Sequence, residues 1–315
     1  MDKNKGVLGT YLSIPLDSMG KLGVPKELHF RDYTIDEIYE LSVSTVQDNL
    51  EVLIGCFNKM VKEDYDCKGL HYKDVITIML TVHNTWWGQS LTKKMYIDPD
   101  IEDYDLLNDK ANIMTEDIPI SCFKTAPLKD EFKNPFTVSI IQNKTETTVT
   151  CILPTVGNMI DAEAYVKDTF FEQERKLSDL LGKVEAIQQI SSYEEKAKAS
   201  RTKLTADELK QYRNYQKDLD KARKMYMQAC CFTKINDEEY LTIEDRIEHL
   251  PEIPLQIWQR YNQVISDYDF GVDDEVTFDS VTLKNPVTRR LGFRLVELIP
   301  NMEQKGVAQG TVRFG

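Results

Sequence analysis

Carboxylates are the side chains most densely placed for chemistry in this chain. Asp98-Pro-Asp-Ile-Glu-Asp-Tyr-Asp105 sets acidic groups at nearly every second position. That oxygen density suits a calcium loop, but the sixth-position glycine and the closing glutamate of an EF-hand are missing. The stretch therefore reads first as a solvated acidic loop. If residues 98–109 lined a cleft and their pKa values were raised, they would supply the acid and base of a hydrolase; this is the enzymatic alternative. His29, His71, His83 and His249 are scattered, and neither His71 nor His83 has a second His or Cys at i+3 or i+4, as a helical zinc site requires. The order of Ser, His and Asp leaves a triad open, yet no Gly-x-Ser-x-Gly elbow places a serine. No phosphate-cradling glycine motif is present. Cys56, Cys67, Cys122, Cys151, Cys230 and Cys231 contain no Cys-x-x-Cys pair and read as buried reduced thiols. No metal, cofactor or catalytic residue is expected on the leading reading.

Aromatic residues are the other candidates, for contact rather than catalysis. Trp86-Trp87 has the chemistry of an interface hot spot, although the end of an apolar segment places at least one of the pair in the core. Tyr212 and Tyr215 belong with Phe170, Phe171 and Tyr226 to a helical stretch, where they read as a seam between two helices. The candidate partner-contact residues are Trp86, Trp87, Tyr212, Tyr215 and Phe314.

Net charge is −13. Residues 161–225 hold nearly equal numbers of basic and acidic side chains, so the acidity lies elsewhere. It argues against coating DNA or RNA, which takes clustered Lys and Arg, and suits a protein that meets other proteins. No apolar run approaches the ~18 residues that span a bilayer. Met1-Asp-Lys-Asn-Lys-Gly6 lacks the apolar core of a signal peptide, so a cytosolic site of synthesis is expected.

These residues are carried by a mixed set of elements, and the expected class is α+β. Leu28 to Tyr33 alternates like a strand. Thr34-Ile-Asp-Glu37 is a capping box that opens a helix, and a second helix follows through Val61. Tyr72 to Gly88 is strongly apolar; its length favours a buried helix and its β-branched content a strand, and both remain open. Ile118 to Lys124 reads as a strand or extended crossing. Phe136–Ile141 and Thr147–Leu153 form a β-hairpin. Asp161 to Phe232 has no proline and one glycine, with apolar residues at helical spacing, and reads as a helical hairpin seamed by Leu177, Leu181, Val184, Leu209, Tyr212 and Leu219. Thr242 caps a short helix, and Pro254 starts another ending near Ser266. Glu275–Leu283 and Arg290–Ile299 are expected to pair across a turn at Lys284-Asn-Pro286. The expected organisation is an N-terminal strand plus helical unit (1–90), an acidic linker and β-hairpin (91–160), a helical hairpin arm (161–232), C-terminal helices and a β-hairpin (233–299), and an extended tail (300–315).

The order of the N-terminal pieces carries a resemblance. Leu12-Ser-Ile-Pro15 leads through Ser18 to Gly20. Arg31, Thr34 and Glu37 open the first helix, and Leu70 to Asp74 opens the apolar segment that Gly88 closes. This resembles the T4-type phage baseplate hub assembly proteins and related tail assembly chaperones, chiefly over the first 90 residues, with Pro15, Gly20, Arg31, Thr34, Glu37, Asp74 and Gly88 as matching positions. The resemblance implies a non-enzymatic protein of a contractile-tailed phage, a hub subunit or assembly factor. Its partners would be other tail and baseplate proteins in an oligomeric assembly, without nucleic acid or membrane. Its location would be the host cytoplasm during assembly, or the virion baseplate.

Overall fold

The structure, a computed structural model, describes residues 10–43, 50–97, 112–142, 144–176, 206–291 and Leu298. The acidic stretch 98–109, the seam residues Leu177, Leu181 and Val184, and Phe314 lie outside these residues. The class is α+β, with seven α-helices and several small antiparallel sheets among the described residues. In chain order the elements are β1 (Leu12–Pro15), β2 (Glu27–Phe30), α1 (Ile35–Val43), α2 (Leu50–Met60), α3 (Tyr72–Trp86), β3 (Ser90–Tyr96), β4 (Ile113–Pro119) and β5 (Thr125–Ala126). Then come β6 (Phe136–Gln142), β7 (Thr145–Cys151), α4 (Val156–Lys176), α5 (Ala206–Ala229), β8 (Phe232–Ile235), β9 (Glu238–Glu239), α6 (Ile243–His249) and α7 (Leu255–Asp267). After these come β10 (Gly271–Val272), β11 (Glu275–Ser280) and β12 (Asn285–Arg290).

Two compact units result. The first takes its described residues from 10–97, 112–132 and the stretch after Asp267; the second is built from 133–267. This partition cuts across the expected one, because β3 and β4 belong with the N-terminal helices and β10–β12 return to them.

In the first unit, β1 and β2 pair antiparallel from Leu12 opposite Phe30 to Pro15 opposite Glu27. Their inward residues Ile14, Leu28 and Phe30 are buried with Phe57 and Met60 of α2, and the Phe30 and Phe57 rings meet edge-on at 5.3 Å. The Tyr72–Gly88 stretch is a helix: Val75, Ile76, Ile78, Met79, Leu80 and Val82 are all buried, so α3 is apolar on more than one face. A helix enclosed on several sides needs no polar stripe, which is why periodicity alone left it ambiguous. Strand β3 was not expected, and β4 starts earlier than the expected crossing. Both alternate, with Leu91, Met114 and Ile118 inward, but Lys93 and Glu116 occupy inward positions opposite each other. Two charges in the apolar phase hide the strand pattern. The C-terminal pair also forms in a different register. β11 pairs with Asn285–Arg290, and Pro286 stands opposite Asp279 within the second strand instead of in the turn. The turn is residues 281–284, ahead of the expected Lys284–Pro286, and ends on Lys284 at φ 57.

In the second unit, β6, β7, β8 and β9 form a four-stranded antiparallel sheet. The expected hairpin is present, running from Phe136 opposite Cys151 to Gln142 opposite Thr145. Val138, Ile140, Val149, Cys151, Phe232 and Ile235 face Ile257 and Tyr261 of α7 in one core. Thr242 caps α6, accepting from the Asp245 N–H at 3.2 Å, and α7 starts directly after Pro254. The helix α4 begins before the expected Asp161, because Thr155 and Asn158 cap it reciprocally. At its root Ala162 packs with Tyr226 and Cys230 of the returning α5 segment, Tyr165 stacks on Tyr226 at 4.8 Å, and Arg223 grips Glu163 through two bonds. Ala229, Cys231 and Phe232 then enter the sheet core, so the base of the expected arm is part of the unit's interior.

Candidate functional site

Three small polar networks of the first unit hold residues named from the sequence. Around the start of α1, Arg31 donates to Glu37 Oε1 at 2.6 Å and to Oε2 at 2.9 Å, and both side chains are buried. The guanidinium also donates to the carbonyls of Asp32 and Lys59. Glu37 accepts from the Thr34 N–H at 2.7 Å while its own N–H reaches Thr34 Oγ1 at 3.3 Å, completing the capping box. Burial by itself would raise the Glu37 carboxyl; the Arg31 and Thr34 bonds outweigh it and hold the group below its ordinary range. The Arg31 side chain thus ties the cap of α1 to the end of α2.

The second network docks the β1–β2 turn onto α3. The Ser18 N–H donates to Asp74 Oδ1 at 3.0 Å, and Thr77 Oγ1 donates to Asp17 Oδ2. Burial pushes Asp74 up to about 6 and raises Asp17 as well. Gly20 sits in the same turn at φ +72, where a Cβ would lie 2.5 Å from Lys26 Cγ, so both conformation and space call for glycine there. The third network closes α3: the Gly88 N–H bonds the His83 carbonyl at 3.0 Å, and Trp87 Nε1 donates to Asp32 Oδ1 at 2.8 Å.

The positions that carried the family resemblance therefore do physical work in the first unit. Arg31, Thr34 and Glu37 meet in one network; Asp74 and Gly20 shape the turn; Gly88 ends α3; Pro15 is the exposed end of β1. Of the candidate contact residues, Trp86 and Trp87 belong to the first unit and Tyr215 to the second. Trp86 and Trp87 are half-buried, and Tyr215 on α5 is buried. Tyr212 belongs to α5, but its side chain, like Phe314, lies outside what is described.

Other chemistry-bearing groups are held in structural roles. His29 stands opposite Ser13 across the β1–β2 ladder, and Glu63 accepts from its backbone N–H at 3.0 Å and contacts Nδ1 at 2.6 Å. Those are triad residue types, yet the Ser13 hydroxyl donates to Glu27 at 2.9 Å. All six cysteines are free thiols, and burial pushes Cys56, Cys67, Cys151 and Cys230 up to about 12. Among the described residues no group of three or more His, Cys, Asp or Glu is placed to hold a metal ion, and no helix is long and apolar enough to cross a membrane.

Glu116 was not anticipated. It accepts from Ser280 Oγ at 2.7 Å and from the N–H groups of Val281 and Thr282, capping the β11–β12 turn from β4. The Ser280 bond, with the two backbone bonds, holds its carboxyl down to about 2. The only local signal was an acidic residue in the inward phase of an alternating strand. A depressed carboxyl stabilises the fold above its ordinary value and loses that contribution as pH falls toward the folded value. Acid titration of the native chain is therefore expected to free the 280–284 turn below about pH 4, read as loss of amide protection there. Glu116→Gln should destabilise that turn at neutral pH and flatten its acid dependence; an unchanged acid profile would refute the assignment.

Comparison with known proteins makes no assignment: no family model, no curated protein and no solved structure matches this chain.

Proposed function

We propose that this chain is a non-enzymatic protein of a contractile-tailed phage, acting at the baseplate hub through contacts with other tail proteins as a structural subunit or assembly factor. One observation carries the reading. The polar residues whose order resembles the hub assembly proteins are those that fix the shape of the first unit: Arg31, Thr34 and Glu37 at the base of α1, and Asp74 beneath the β1–β2 turn. Residues spent on holding shape suit a scaffold that presents surfaces.

Such a surface is available on α1, where Ile35 and Tyr39 lie one turn apart and are 73% and 61% exposed. Large apolar side chains grouped on one helical face are typical of contact patches. The proposed setting is the host cytoplasm during assembly, with retention in the virion baseplate if the chain is a subunit.

The test is co-purification from infected cells. A tagged chain is expected to bring down baseplate proteins, and Ile35→Asp with Tyr39→Asp is expected to weaken that recovery while the folded signal persists. Recovery of no tail protein would overturn the reading. Mass spectrometry of purified virions then separates the subclasses: peptides from this chain mark a subunit, and their absence marks a transient factor.

A further inference from the structure

The seam between the β1–β2 turn and α3 places two carboxylates in a dry spot. Asp17 and Ser18 are adjacent in the turn, and their partners Thr77 and Asp74 lie one helical turn apart on the same face of α3. Ser18 and Asp74 are both fully buried. Asp74 Oδ1 takes the Ser18 N–H, while Oδ2 receives no bond of good geometry, although the Ser18 hydroxyl lies against the carboxylate.

The two nearby lysines are engaged elsewhere. Lys21, in the turn, donates to the Leu128 carbonyl and to Asp130. Lys73, beside Asp74 on α3, pairs with Asp269. From the segment before α3, the Tyr65 phenol lies within electrostatic reach of Asp74, and buried His71 is the N-cap residue of the helix. The turn also anchors a third segment, since the Leu128 N–H donates to the Asp17 carbonyl at 2.7 Å.

We propose that the Asp17–Asp74 pair makes the turn Leu16–Val24 an acid-tightened latch, closed on α3 while the pair holds a proton and loosened when both carboxylates are ionised. Like charges that close in a water-poor setting oppose each other, and opening the turn lets water reach both. The sign follows from the direction of the shift. Asp74 is raised by burial, with Asp17 adding in the same sense. A raised carboxyl stabilises the closed turn below its ordinary range and loses that contribution as pH climbs through the folded value. Loosening also releases the Leu128 bond, so residues 125–130 should respond together with the turn.

Amide exchange of the native chain tests this. After division by the intrinsic exchange rate, protection over 16–24 is expected to fall about tenfold between about pH 5 and about pH 7.5, the linkage of a folded value near 6 to the ordinary 3.8. Protection in α2 is expected to change much less. Asp74→Asn keeps an oxygen for the Ser18 N–H but cannot ionise, so its turn should be equally protected at both pH values. Asp17→Asn removes the like charge that helps raise Asp74, so the midpoint of the fall should move to lower pH. A native turn whose corrected protection is the same at both pH values overturns the proposal without reference to any variant. A fall that persists in Asp74→Asn overturns it as well.

Discussion

Replacing residues 161–232 with a short linker is expected to unfold the second unit, whereas replacing only 172–211 is expected to leave it folded. The distinction rests on where the helical hairpin is rooted. Its far portion can be removed without touching Ala162, Tyr226 or Cys230, which pack together at the base. The longer cut removes those three, the Arg223–Glu163 pair, and Ala229, Cys231 and Phe232 of the sheet core. Each fully buried large side chain contributes about 1.5–3 kcal/mol, and a domain's net stability is only about 5–15 kcal/mol. Losing several at once exceeds that margin. Amide protection in β6 and β7 gives the readout. If protection there survives the longer cut, the hairpin is an independent appendage; if the shorter cut abolishes it, the core extends further along the helices.

Glu37→Ala is expected to destabilise the first unit by about 3–5 kcal/mol, the cost of leaving a buried charge without its partner. Arg31 would keep its bonds to the Asp32 and Lys59 carbonyls but lose both carboxylate oxygens. The Thr34 N–H would lose its acceptor in the same change. Trp86 and Trp87 report on this unit and Trp258 on the other, so urea unfolding followed by fluorescence in a Trp258→Phe background isolates the effect. The paired change Arg31→Met with Glu37→Leu should recover much of the loss, because apolar replacement of a whole buried pair is often neutral. A single-variant cost below about 1 kcal/mol, the range of exposed pairs, would show that the pair is solvated.

What the chain disclosed in advance was local. Thr34 with Glu37, Thr242 before α6, Pro254 before α7 and the alternating arms of β6 and β7 each announce themselves within a few residues, since caps and hairpins are satisfied by near neighbours. The contacts that organise the candidate site are not local. Ser18 reaches Asp74 across 56 positions and Glu116 reaches Ser280 across 164, and nothing in the spacing of either pair marks them as partners. Lys93 and Glu116 misled in another way: charged residues in the inward phase of β3 and β4 broke the pattern by which a half-buried strand is recognised. The Arg31, Glu37 and Asp74 positions were legible only as part of a motif order, and their role in holding the turn and the first helix came from geometry.

The first unit also imposes an order of events during synthesis. Ala126 of β5 pairs with Gly271 of β10, and every residue of the second unit from Lys133 to Asp267 is made between those two partners. At ~5–20 residues per second a ribosome takes on the order of ten seconds to cover that interval. Until Gly271 is made β5 lacks its partner strand, whereas the second unit has all its residues once Asp267 is made. The nascent chain is thus expected to complete its inserted portion before the β5–β10 pair of the flanking portion can form, whereas the turn carrying Asp17 and Ser18 already has Asp74, Thr77 and Leu128 in hand.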